Sequence, residues 1–375
     1  MYLDHAAATP VDSDVLAVML PYFTEKYYNP SATYSAAQTA RKELEAARSS
    51  VAQILGTRSN EIIFTAGGTE ANNLAIRGVM DAFAGKRLLI SSIEHDSVLM
   101  PARHYRYGEI PVSGEGVASP DQIISMIDDD TVLVSLMLAN NEVGSLQPVR
   151  QLAQKLQHLR DDRRKRGVNL PLYLHTDACQ AGNYLDLHVS RLGVDMMTLN
   201  GGKLYGPKQS GALYIKAGVQ ISPQILGGGQ ERGKRSGTEN LAFAVGFAHA
   251  LGQAQASRHD WQRAHEELRD YMFEQLSALP GVVANGSRSQ RLANNIHITI
   301  DGVDNERVLF YLDEHGVMAA AGSACSASNE EPSHVLRAMG VSDRDAQASL
   351  RFTLGRATTR ADIDQAVKLL AEAIA

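Results

Sequence analysis

The chain is poor in cysteine. Two residues, Cys179 and Cys325, occur among 375. Two such distant cysteines make neither a disulfide framework nor the paired spacing of a zinc knuckle, and a reducing cytoplasm suits them. Positive charge is not in excess either: 36 Lys and Arg stand against 42 Asp and Glu, a net charge of −6. That removes the electrostatic case for binding nucleic acid. The one basic run, "RRKR" at 163–166, follows two aspartates and reads as a solvated helix terminus. Long apolar runs are absent, so nothing reads as a membrane span. The opening "MYLDHAAATPVDSDVLAVML" has early acids and no basic stretch before an apolar core, so it does not read as a signal peptide.

What is present is an alternation. Short apolar runs at "EIIFTA" (61–66), "RLLISS" (87–92), "TVLVSLML" (131–138), "LYLHTDA" (172–178), "DMMTLN" (195–200) and "GALYIK" (211–216) read as strands. Several are continuous rather than alternating, as strands buried on both faces are. Amphipathic helices such as Thr69–Phe83 and Val149–Arg166 separate most of them, which predicts an α/β fold with a mainly parallel sheet. After Ser257 the pattern changes to a helix near 260–278, the segments "NNIHITID", "GVMAAAG" and "SLRFTLG", and a terminal helix opened by Thr359 and Asp362 as a capping box. We expect a large domain over 13–256, and a smaller α+β domain from 1–12 and 257–375. The smaller one would carry a mobile loop at about 322–334.

Ligands of open α/β sheets sit beyond the carboxyl ends of the strands. There the sequence places "GGTEANNLAI" after the first run, with Gly68 and Thr69 opening a helix whose free N–H groups suit a phosphate. His95 follows the second run, Asn141 the third, Asp177 and Gln180 the fourth, and Asn200 and Lys203 the fifth. Singly, each has an ordinary explanation as a turn, a helix cap, a satisfied histidine or a hairpin lysine. Together a phosphate cradle, an acid, a ring-stacking candidate, amides and a lysine are what pyridoxal 5′-phosphate needs. A lysine held in a cleft becomes nucleophilic, as Schiff-base chemistry requires. Cys325 lies in "GSACSASNEEPSH" among small residues, where a reactive thiol has access and a structural one gains little from burial. Cys179 reads as a small buried residue.

These motifs resemble the cysteine desulfurases, among the class-V aminotransferase-like, fold-type-I pyridoxal-phosphate enzymes. The likeness runs almost end to end, through "YLDHAAATP", "NPSATY", "EIIFTAGGTEANNLAI", "EHDSVL", "NNEVG", "HTDACQ", "GGKLYGPK", "GGGQERGKRSGTEN", "GSACSASNEEPSHVLRAMG" and "SLRFTLGR". The resemblance implies Lys203 as the Schiff-base lysine, Asp177 as the partner of the ring nitrogen, and His95 as a stacking residue and proton carrier. It implies Gln180 and Asn141 near the cofactor's phenolic oxygen, and Gly68 and Thr69 at its phosphate. Thr238 matches a threonine offered to the neighbouring subunit, which implies a homodimer. Arg351 matches the clamp on the carboxylate of the substrate, L-cysteine.

Cys325 matches the cysteine that accepts the sulfur as a persulfide. Its long loop resembles the group that hands sulfur to an acceptor protein, such as an iron–sulfur scaffold or a tRNA-thiolation enzyme. Three departures accompany the likeness. Asn200 and Gly202 stand where the family commonly has Ser and His. The stretch "LQHLRDDRRKRGVNLPLYLH" looks longer than usual. The sequence stops soon after its terminal helix, so we expect no tail of the kind by which some relatives hold the scaffold. A selenocysteine lyase, an ordinary aminotransferase and a non-catalytic member of the same fold remain the alternatives.

Overall fold

The computed structural model describes residues 1–322 and 332–375. Cys325 therefore lies outside the described residues, as does most of the loop expected at 322–334. Seven strands form the larger sheet: β1 (Ile62–Thr65), β2 (Arg87–Ser91), β3 (Arg106–Ile110), β4 (Thr131–Ser135), β5 (Tyr173–Asp177), β6 (Met196–Asn200) and β7 (Gly211–Ile215). Their order is β1-β7-β6-β5-β4-β2-β3. The pairs among β3, β2, β4, β5 and β6 are all parallel, and β7 runs antiparallel to both neighbours.

Burial explains the strand sequences. All five residues of β4 are buried, and Val132, Leu133 and Val134 are fully so. Each such aliphatic side chain contributes roughly 1.5–3 kcal/mol on leaving water. The strand of this sheet absent from the sequence reading is β3, whose "RYGEI" is exposed at its first residue and has no apolar run. It is an edge strand, and a polar edge strand leaves no such signal.

The helices that position the site are α1 (Ser35–Leu55), α2 (Gly68–Ala82), α3 (Asp96–Ala102) and α4 (Val149–Lys165). A single helix of 37 residues, α5 (Leu241–Ser277), follows where a shorter one near 260–278 was expected. Its first half packs Phe247, Leu251 and Ala254 into the core beneath the large sheet, and its second half packs Met272, Phe273 and Leu276 into another core. That second core lies against an antiparallel sheet of β8 (Val282–Ala284), β9 (Asn295–Ile300) and β10 (Ser349–Thr353), ordered β10-β9-β8. The helices α6 (Asn305–Glu314), α7 (His334–Ala338) and α8 (Arg360–Ile374) complete this part, with the Thr359 and Asp362 capping box present on α8.

The basic run is only partly a solvated terminus. Arg163 is buried, and its guanidinium donates to the carbonyls of Thr131 and Asp128 at the start of β4. Arg160 donates to Leu172 O and pairs with Asp195. The longer connection thus ties α4 to the strands on either side of it.

Candidate active site

The N-terminal segment forms one wall of the site. Leu3 and Asp4 lie beside β10 through the bond from Thr353 N to Leu3 O and the bridge from Asp4 to Thr353. The chain then crosses to the large sheet, where Thr9 N and its hydroxyl both donate to Gly202 O. Onto this segment the strand-end residues converge. Lys203 closes a short 3-10 turn after β6, and its Nζ donates to the carbonyls of Ala6, at 2.7 Å, and Ala7. Gln180 Nε2 reaches the same Ala6 carbonyl at 3.1 Å.

Arg351, in β10, is buried. Its Nη2 meets Asp4 Oδ1 at 2.6 Å and its Nη1 meets the backbone carbonyl of Asn141 at 3.0 Å. Its Nε is buried and finds no acceptor among the described residues. The guanidinium therefore retains a donor that is unmatched among the described residues.

Asp177 ends β5 and is buried. Its Oδ1 accepts from Cys179 N at 2.9 Å and its Oδ2 from Asn72 Nδ2 at 2.6 Å. His95 caps α3, with its Nδ1 accepting from Ser97 N at 3.1 Å. Gly67 precedes α2 at φ 120°, a conformation open to glycine, and Gly68 begins the helix. A Cβ on Gly68 would lie 2.7 Å from Cys179 Sγ and 3.4 Å from Asn200 Cβ, so this corner is a cradle only a glycine leaves open. Thr69 is exposed in the first turn of α2. Asn200 caps the turn that carries Lys203, its Oδ1 accepting from Gly202 N at 3.0 Å. Cys179 is half-buried beside Gly68, and desolvation together with Asp177 pushes its thiol well above its ordinary range, which disfavours the thiolate.

Thr238 stands apart from this cluster. It is exposed and borders, with Ala66, Gln209 and Arg235, a cavity of about 260 Å³. Arg235 pairs with Glu70 in the first turn of α2, and Glu70 accepts from Ala66 N.

Four contributors escaped the sequence reading. Asp4 and Ala6 lie in "YLDHAAATP", a motif from which no residue was singled out. Asn72 shares a helix face with Gly68 at four residues' spacing, a signal that was available. Glu94, beside His95, is fully buried. Its Oε1 accepts from Met137 N at 2.7 Å, and burial together with Asp177 pushes its carboxyl well above the usual range. Its backbone carbonyl accepts from His334 Nε2 at 2.9 Å, which docks α7 on this wall.

Comparison with known proteins agrees with this geometry. Residues 1–366 match the family described as aminotransferase class-V. A protein of Methanosarcina thermophila named cysteine desulfurase IscS is 40% identical over 100% of this chain and 92% of its own length. Another of that name, from Dictyoglomus turgidum, is 40% identical over 99% and 93%. Among solved structures, a NifS-like protein superposes with a TM-score of 0.90 at 31% identity, covering 100% of this chain and 99% of its own. The structure titled SspA in complex with cysteine gives 0.80 at 32%, covering 94% and 98%. The chain belongs to the class-V aminotransferase family and, within it, to the cysteine desulfurases.

Proposed function

We propose that this chain is a pyridoxal 5′-phosphate-dependent L-cysteine desulfurase, which converts L-cysteine to L-alanine and keeps the sulfur as a persulfide on Cys325. The observation that carries the reading is the convergence of Gln180, Lys203 and Arg351 on the N-terminal segment, with Asp177 held by Asn72 and Cys179 N beside the glycine corner at 67–68. These groups fit the cofactor. Asp177 would hold the proton of the ring nitrogen, with His95 stacked on the ring and Asn141 and Gln180 near the phenolic oxygen. Gly68, Thr69 and the amide of Asn200 would take the phosphate, so Asn200 keeps a donor where Gly202 has none. When bound, the cofactor supplies an electron-withdrawing ring that stabilises negative charge at the substrate's Cα.

The chain's own groups do the rest. Arg351 turns from Asp4 toward the substrate carboxylate and fixes its orientation. Lys203 Nζ, poised among carbonyls, moves the proton at Cα. The Cys325 thiolate takes the substrate sulfur. A sulfur–sulfur bond forms, the Cβ–sulfur bond breaks, and its electron pair stays with the carbon fragment, which takes a proton and leaves as alanine.

The exposure of Thr238 supports a homodimer in which it reaches the neighbouring copy's phosphate. The persulfide then passes to a sulfur-acceptor protein for cluster assembly or tRNA thiolation. Among the described residues no helix is long and apolar enough to cross a membrane. The cytoplasm is the setting we propose, because a reactive thiol needs a reducing compartment. We take residues 13–256 as the cofactor-binding domain, and 1–12 with 257–375 as the smaller one.

The test is direct. The purified protein should show a visible absorption band that shifts on adding L-cysteine, with alanine formed and sulfide released under reductant. Cys325→Ser should keep the band and lose the sulfide. A colourless protein that stays inert with added pyridoxal phosphate overturns the proposal.

A further inference from the structure

One chain of hydrogen bonds runs from the acid beneath the cofactor site to the stacking histidine, through two residues that carry no role above. Asn72 is buried in α2, and its Nδ2 donates to Asp177 Oδ2 at 2.6 Å and to Ser97 Oγ at 2.8 Å. Ser97 Oγ lies 2.8 Å from His95 Nδ1, and Ser97 N donates to that same nitrogen at 3.1 Å.

The donor and acceptor roles along this chain are fixed by chemistry. A carboxylate only accepts, so the amide nitrogen of Asn72 must face Asp177. Turning the amide over would set Asn72 Oδ1 against the carboxylate oxygen, two acceptors face to face. Both protons of Asn72 Nδ2 are thereby committed, one to Asp177 and one to Ser97. Ser97 Oγ accepts from Asn72, so its own proton is left to donate, and the acceptor within reach is His95 Nδ1. A backbone N–H can only donate, so the bond from Ser97 N demands an unprotonated Nδ1 for a second, independent reason.

We propose that Asn72 and Ser97 are positioning residues that lock neutral His95 into the tautomer with its proton on Nε2, so that His95 meets the substrate as a proton donor. The idea rests on the cofactor reading for the role of His95, but the hydrogen-bond chain itself belongs to the protein alone. Asp177 is what anchors it. The acid that pairs with the ring nitrogen also orients, two side chains away, the histidine that would lie on the ring. A group restricted to one tautomer spares the site a proton rearrangement before each turnover.

The experiment is histidine-selective ¹⁵N NMR on the full-length protein, with and without pyridoxal phosphate, the His95 signals being assigned by their loss in His95→Gln. Wild type should show a protonated Nε2 and a bare Nδ1 when the ring is neutral. Ser97→Ala should lower the preference for that tautomer by roughly two- to tenfold, the worth of one neutral hydrogen bond. Asn72→Leu should move it the same way, and Ser97→Thr should restore it. A proton on Nδ1 in wild type overturns the proposal, as does a tautomer unmoved by both Ser97→Ala and Asn72→Leu. Visible absorption of the same samples reports cofactor uptake separately. A protein that never takes up the cofactor sinks the functional reading, while its histidine spectrum still decides the relay.

Discussion

Glu94 shows how much of the site is set by single buried groups. It is shut off from solvent and has the Asp177 charge nearby, and these hold its carboxyl well above the range in which an exposed glutamate ionises, against the one backbone donor on Oε1. An acid whose folded-state pKa lies above its ordinary value, 4.5 here, stabilises fully below that value and costs stability as pH rises beyond it. Glu94→Gln keeps the shape of the neutral acid and cannot ionise. It should therefore match wild type near pH 4.5 and exceed it by a margin that grows toward alkaline pH in urea denaturation; a constant margin would mean that Glu94 is ionised in the fold. The residue scale is also where the sequence was least legible. Asp177 and Lys203 announce themselves as charged residues at strand ends, and Arg351 through the family resemblance. Glu94 and Ser97 do not, because their importance lies in which neighbour three-dimensional packing sets against them.

At the scale of elements, the junction of β1 with α2 depends on the absence of one carbon atom. Gly68→Ala should raise the intrinsic propensity of α2 by up to about 1 kcal/mol. Its Cβ would press on Cys179 Sγ, however, and overpacking of that kind costs about 1–3 kcal/mol. We expect lower thermal stability and weaker retention of pyridoxal phosphate. Adding Cys179→Ala, which removes the offending sulfur, should recover much of both. Retention that stays normal in Gly68→Ala alone would show that the cradle is not tight.

Elements were the most legible scale. Apolar strands buried on both faces write themselves as unbroken runs, and each helix between them has its own period. The failures have physical reasons. The edge strand β3 carries charges instead of an apolar run. In α5 the sequence changes character near Ser257 because the helix leaves one core for another, and a helix crossing between cores needs no break in its backbone.

Across the whole molecule, pH acts through histidines buried without charge. His175 sits inside the large sheet and bridges three strands, from Ser135 Oγ at 2.9 Å to Thr198 Oγ1 at 3.0 Å, and burial lowers its pKa to about 4. His265, under Tyr184 and Trp261, is lowered to about 4, and His297, in β9, to about 3. A base with a depressed pKa lends stability that is whole above its ordinary 6.5 and is lost as pH falls through the folded value. The denaturation midpoint should accordingly drop steeply between about pH 6.5 and 4. A midpoint level across that range would mean that these rings are protonated in the folded chain.

The proposal that binds the scales together is chemical: sulfur from L-cysteine passes to Cys325. The most direct measurement is peptide mass mapping of the holoenzyme after L-cysteine is added without reductant, with alanine quantified in the same sample. The account predicts one added sulfur on the peptide containing Cys325, none on that containing Cys179, and alanine in matching amount. Alanine formed at the same rate by Cys325→Ser, or sulfur found on Cys179 instead, would contradict it.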